Sequence, residues 1–212
     1  KTMKIIDSAR YSYDKYKNSI ERCARTSPFE RSYQEIFEAV IREVLKHTNI
    51  EIIISSEFRK KETTLHCPLG YKLEDTASPD LMLAVGFIYD NKGEKNLTEP
   101  KYYALVEVKL PGSIKTEAGE LKITEDYINQ LKTYLKHPAI NKLIFIDGYT
   151  WVFYEENLSS KKIIELRTED GWKQRTNSID KFTRNLLETD IKENAGDPEE
   201  WEELQAYIYE FI

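Results

Sequence analysis

The spacing of apolar residues changes period along this chain, and that change constrains the fold more than any other feature. Across residues 27–49, Ile36, Phe37, Val40, Ile41, Val44 and Leu45 recur at helical spacing and form one apolar stripe. Ser27 is expected to cap this helix, with Pro28 at the first helical position and Glu30 closing a capping box. The pattern then becomes β-branched and short. "IEIIISSEF" (50–58), "PDLMLAVGFIYD" (79–90) and "YYALVEVKL" (102–110) read as three strands, the last two as a long hairpin. "RKKETTLHCPLGYKLEDTA" (59–77) has no period and reads as a loop.

Helical spacing returns in "EDYINQLKTYLKH" (125–137), through Tyr127, Ile128, Leu131, Tyr134 and Leu135, with Pro138 at its end. "NKLIFI" and "WVFYEE" follow as strands around an Asp147-Gly148 turn, then "KKIIELR" as a further strand. Helices are expected over 178–191 and 197–212, with Asp197 and Pro198 opening the second. Helix, three strands, helix, strand, with additions at both ends, is the order of an α/β domain with a mixed central sheet flanked by helices. One domain over 1–212 is expected. Its core covers about 28–167, with a basic helical arm over 1–27 and an acidic helical extension over 168–212. The last helix carries Trp201, Leu204, Tyr207, Ile208 and Phe211 on one face, which needs a surface to cover it.

The net charge of −6 argues against coating nucleic acid by bulk charge. The charge is uneven. Residues 1–26 carry seven basic against three acidic side chains, and residues 187–212 carry nine acids against Lys192. Two solvated helix faces explain this; contact of the arm with phosphate and of the tail with a partner is the sharper alternative. Arg59, Lys60 and Lys61 form a further basic cluster, open between phosphate contact and plain surface. No apolar run is long enough to cross a bilayer, no signal peptide is expected, and Met3 is the expected natural start. Cys23 and Cys67 lie far apart and are expected as reduced thiols in a cytoplasmic protein. His66-Cys67 lacks a second pair at a zinc spacing.

The chemistry-bearing residues lie on the second and third strands. Alternation puts Glu107 and Lys109 on one face of their strand, with Val106, Val108 and Leu110 on the other. If the hairpin strands pair side by side, Asp80 joins Glu107 and Lys109, whereas a slip of one residue separates them. Two close carboxylates repel unless a cation lies between them, and a hard divalent ion such as Mg²⁺ suits them. A neighbouring ammonium then steers water or offsets charge on a phosphate.

Pro79-Asp80 followed by Glu107-Val108-Lys109 on consecutive strands resembles the PD-(D/E)XK, or restriction-endonuclease-like, nuclease superfamily. "YINQLKTY" resembles the Gln-x-x-x-Tyr element of RecB-type nucleases and of the N-terminal nuclease domains of type I restriction subunits. The resemblance covers roughly 28–167 and implies an αβββαβ core. It implies a Mg²⁺-dependent DNA endonuclease, with Mn²⁺ as a substitute ion, in the cytoplasm, in a restriction or phage-defence setting with other domains or subunits. Asp80, Glu107 and an acid on the first helix would hold the metal. Glu38 is the expected helix acid, because it borders the apolar stripe and Glu30 is expected in the cap. Lys109 would position or help deprotonate the water, and Gln130 would complete the shell. A catalytically silent module of the same fold, binding nucleic acid or protein, and an RNA endonuclease are the alternatives.

Overall fold

The β-branched and aromatic segments pair into one mixed sheet with helices on both faces. The computed structural model describes residues 10–54, 79–86, 101–117, 120–136, 140–166 and 199–212. In chain order the described elements are α1 (Tyr13–Thr26), α2 (Glu30–Leu45), β1 (Glu51–Ile54), β2 (Leu81–Val85), β3 (Lys101–Val108), β4 (Lys115–Glu117), β5 (Glu120–Lys122), α3 (Glu125–Leu135), β6 (Lys142–Ile146), β7 (Thr150–Glu155), β8 (Lys161–Glu165) and α4 (Glu199–Phe211). The main sheet runs β1-β2-β3-β6-β7-β8. Only β3 and β6 are parallel among its neighbours. A parallel pair needs a crossover, and α3 lies in that connection. The same connection holds the small β4–β5 hairpin, which the sequence pattern does not reveal. The helix expected over 178–191, the basic cluster at 59–61 and His66-Cys67 lie outside the described residues.

Both sheet faces are buried, which is why the strands read as near-continuous apolar runs. Leu81, Leu83, Ala104, Val106, Val108, Ile144, Ile146, Trp151 and Phe153 share one core with α1, α2 and α4. Met82, Ala84, Leu105, Leu143, Phe145, Val152 and Tyr154 share the other with Leu131 and Tyr134 of α3. The β2–β3 register is Leu81↔Val106 and Leu83↔Ala104, then shifts to Ala84↔Tyr102. That bulge leaves Tyr103 as the extra residue, packed on the first core while Tyr102 packs on the second.

The segment expected as an arm is helical from Tyr13 and is built into the core. Tyr13, Tyr16, Ile20, Cys23 and Ala24 of α1 are buried, and Tyr16 Oη donates to the Gly148 carbonyl at 2.6 Å. Cys23 is a free thiol. The last helix covers its apolar face by packing on its own domain. Trp201, Leu204, Ile208 and Phe211 are buried there, and Trp201 Nε1 donates to the Tyr11 carbonyl at 2.8 Å. The basic and acidic ends of the chain meet through Arg10 and Glu202 at 2.8 Å.

The expected cap of α2 is corrected by the structure. Because α1 runs to Thr26, Ser27 ends that helix, its N–H bonded to the Cys23 carbonyl at 2.9 Å. Phe29 is the N-cap of α2 and makes no side-chain cap bond, while Ser27 Oγ pairs with Ser32 Oγ at 2.8 Å. The Glu30 carboxyl is therefore not committed to a capping box.

The Asp147-Gly148 turn joins β6 to β7 as expected, with Gly148 at φ 89°. Asp147 does more than turn the chain. Fully buried, it accepts four backbone N–H bonds. Oδ1 takes Tyr149 at 3.1 Å and Thr150 at 2.9 Å; Oδ2 takes Gly112 at 2.9 Å and Ile114 at 2.8 Å. The first pair closes the turn, and the second fixes the loop after β3. Asp147→Ala leaves four interior donors unpaired and is expected to cost on the order of 4 kcal/mol in urea unfolding. Asp147→Asn keeps one accepting oxygen and should lose less. Two variants as stable as the wild type would remove this role.

Candidate active site

Asp80 stands one residue before β2, where the β-ladder would otherwise end. Its N–H donates to the Val106 carbonyl at 3.0 Å, and its Oδ2 accepts from the Val108 N–H at 2.8 Å. The carboxylate thus takes over a ladder position from the backbone. Carrying the Leu81↔Val106 register one step back sets Asp80 opposite Glu107. The bulge lies at the far end of β3 and does not disturb this pairing.

Glu107 points to the α3 side of the sheet and is 2% exposed. Its Oε1 accepts from Lys109 Nζ at 2.5 Å and from Gln130 Nε2 at 2.8 Å. Its Oε2 accepts from Tyr134 Oη at 2.8 Å. Gln130 and Tyr134 are one helical turn apart on α3, so one face of that helix delivers both donors, and Gln130 Nε2 also reaches Tyr134 Oη at 3.0 Å. Lys109 follows the end of β3, its N–H bonded to the Ile146 carbonyl at 2.8 Å and its Nζ 5.2 Å from the centre of the Tyr127 ring.

The electrostatics follow from this burial. Desolvation and then the negative charge of Asp80 raise the Glu107 pKa to about 7, against the pull of Lys109 and the Tyr134 hydrogen bond. Burial alone would lower the Lys109 pKa, but Glu107 first, then Glu30 and Asp80, outweigh it and raise it, so Lys109 is a cation. Burial and Glu107 hold the Tyr134 hydroxyl protonated.

Glu30 enters this field from α2. As a residue it is exposed, yet desolvation of its carboxyl raises its pKa; Lys109 opposes that rise and Asp80 adds to it. Glu38 is paired within its own helix. It lies eight residues further along α2, about 12 Å up the helix axis, and accepts from Arg42 Nη2 at 2.5 Å. So the structure brings together Asp80, Glu107, Lys109 and Gln130 and adds Tyr134, while Glu30 enters through its electrostatic coupling to Asp80 and Lys109 and Glu38 pairs with Arg42. Tyr134 was visible in the Gln-x-x-x-Tyr spacing but reads more readily as packing. Glu30 was hidden by the capping-box pattern.

Asp80, Glu107 and Glu30 are hard oxygen donors of the kind a divalent cation takes. Asp80 stands opposite Glu107, and a cation between them would relieve the repulsion that adds to burial in raising the Glu107 pKa. Among the described residues, no three His, Cys, Asp or Glu side chains stand grouped at ion-holding distance. Both Glu107 oxygens are instead engaged by protein donors. Compared with models of protein families, with curated proteins and with solved structures, the chain matches none.

Without added metal, Glu107 is expected to titrate near 7, seen as a side-chain ¹³C shift that disappears in Glu107→Gln. Between 4.5 and 7 the folded protein holds a proton that the unfolded chain has released. The burden of this group is absent below 4.5, grows as pH rises to 7 and is constant above. The unfolding free energy of wild type relative to Glu107→Gln should fall over that window. A flat difference with titration near 4.5 would mean a solvated acid.

Proposed function

We propose that this chain is a divalent-metal-dependent endonuclease of the PD-(D/E)XK type that hydrolyses phosphodiester bonds in DNA. Mg²⁺ is its natural ion and Mn²⁺ a substitute, and it acts in the cytoplasm within a restriction or phage-defence system. One observation carries the reading: Glu107 and Lys109 are buried as a charged pair at the end of β3, with Asp80 opposite. Charges taken out of water cost several kcal/mol each, and a well-packed apolar pair is often at least as stable. Stability alone gives little reason for this arrangement. The succession α2, β1, β2, β3, α3, β6, with β3 and β6 parallel, supports the αβββαβ core implied by the resemblance.

Asp80 and Glu107 would hold the ion, with Glu30 in the helix-acid place that the sequence reading gave to Glu38. When bound, the ion would polarise the phosphate and make its water more acidic. Glu107 must be ionised to serve, so ion binding would draw the group away from the protonated form that its raised pKa favours below about 7. Lys109, held cationic, offsets negative charge growing on the phosphate oxygens and orients the water; its raised pKa makes it a poor base. Gln130 and Tyr134 fix the Glu107 carboxylate. The engagement of both Glu107 oxygens favours one other reading, a module of this fold that binds nucleic acid without cutting it.

Asp80→Ala, Glu107→Ala and Lys109→Ala should each reduce Mg²⁺-dependent plasmid nicking by about 10²-fold or more, with each variant still folded by circular dichroism. A fully active Lys109→Ala protein sinks its role. Wild type that binds DNA without divalent metal and never nicks it, with either ion, selects the silent module. Cleavage of RNA but not DNA under the same conditions reassigns the substrate.

A further inference from the structure

Gln34 is a polar residue inside the apolar stripe of α2. It is 8% exposed, three residues before Phe37 and one turn after Glu30. The chemistry above makes no use of it. Its Nε2 donates to the Asp80 backbone carbonyl at 3.2 Å. Asp80 is thereby held from two elements. Its N–H and carboxylate fasten it to β3, while Gln34 fastens its carbonyl to α2. The helix that carries Gln34 also carries Glu30, whose carboxyl feels both Asp80 and Lys109.

We propose that Gln34 is a positioning residue, which ties Asp80 to α2 so that its carboxylate stays opposite Glu107, where the two would take one divalent ion. The inference rests on the metal-site reading above. An apolar side chain would fill this place without the desolvation cost of an amide, roughly 1–3 kcal/mol before its hydrogen bond offsets it. What the amide adds is direction: it aims at one atom of one residue. Because the bond goes to the backbone of Asp80, it leaves the carboxylate oxygens available to their own partners while limiting how far the residue can move from α2.

Gln34→Met tests this, since it keeps side-chain length and packing but removes the donor. Three measurements on the full chain are decisive: hydrogen exchange at the Val108 amide without metal, calorimetric titration of Mn²⁺, and thermal melting. The expected result is faster exchange at Val108, Mn²⁺ affinity lowered about tenfold, and a melting temperature close to wild type. Gln34→Leu serves if the Met variant fails to fold. Unchanged Val108 exchange and Mn²⁺ affinity in the variant, with wild type binding Mn²⁺, overturn the inference and leave the metal site standing. Exchange that rises across the whole sheet with a lower melting temperature makes Gln34 merely structural. A wild type that binds no Mn²⁺ removes the metal-site reading, and this inference with it.

Discussion

The four backbone hydrogen bonds accepted by Asp147 hold together the end of the sheet where the chemistry gathers. A single carboxylate closes the turn between β6 and β7 and fixes the loop that leaves β3. Those two strands are the parallel pair, the least local connection in the sheet, and the crossover between them includes α3. Tyr16 of α1 bonds the Gly148 carbonyl of the same turn, and the Trp151 Nε1 donates to Tyr16 Oη at 3.4 Å. One interior acid therefore coordinates a turn, a loop and a helix contact, and Lys109 sits just ahead of the loop it fixes.

That anchoring makes the buried Glu107–Lys109 pair tolerable. A carboxylate with 2% exposure needs donors in fixed places, and each of its donors is itself held: Lys109 by the parallel ladder, Gln130 and Tyr134 by α3. Where that network is complete, the remaining stress is burial and then repulsion from Asp80, which together raise the pKa of Glu107. Polar groups in a low-dielectric interior are held to a strict geometry. The outcome is a charged cluster in which few side chains can move without leaving another unpaired.

Much of this was legible in sequence because strands and amphipathic helices announce themselves by period. β1, β2, β3, α3, β6, β7, β8 and α4 fall where apolar spacing places them, and the facing of Glu107 and Lys109 follows from alternation alone. What was not legible came from contacts between elements. Ser27 looks like a cap because Ser-Pro-Phe-Glu has the right local chemistry; it is instead the end of α1, and only the length of α1 reveals that. The expectation of Glu38 rather than Glu30 rested in part on that same cap. The buried face of α1 is Tyr-rich, and tyrosines at helical spacing beside two lysines and two arginines look like a wet surface. Gln34 left one trace, an amide in a row otherwise made of Tyr33, Phe37 and Ile41, but no local pattern says that its partner is Asp80.

The bulge between Leu83 and Ala84 has a bearing on how this chain tolerates change. It separates the β2–β3 ribbon into two stretches whose facing is set independently. The stretch nearest Asp80 is locked by both sheet cores, whereas the stretch beyond Tyr103 has already absorbed one unmatched residue. Lengthening or shortening the connection between Val85 and Lys101 would be felt first on that side. The ribbon thus acts as a mechanical fuse: variation enters at one end, and the alignment of Asp80 with Glu107 at the other end is insulated from it.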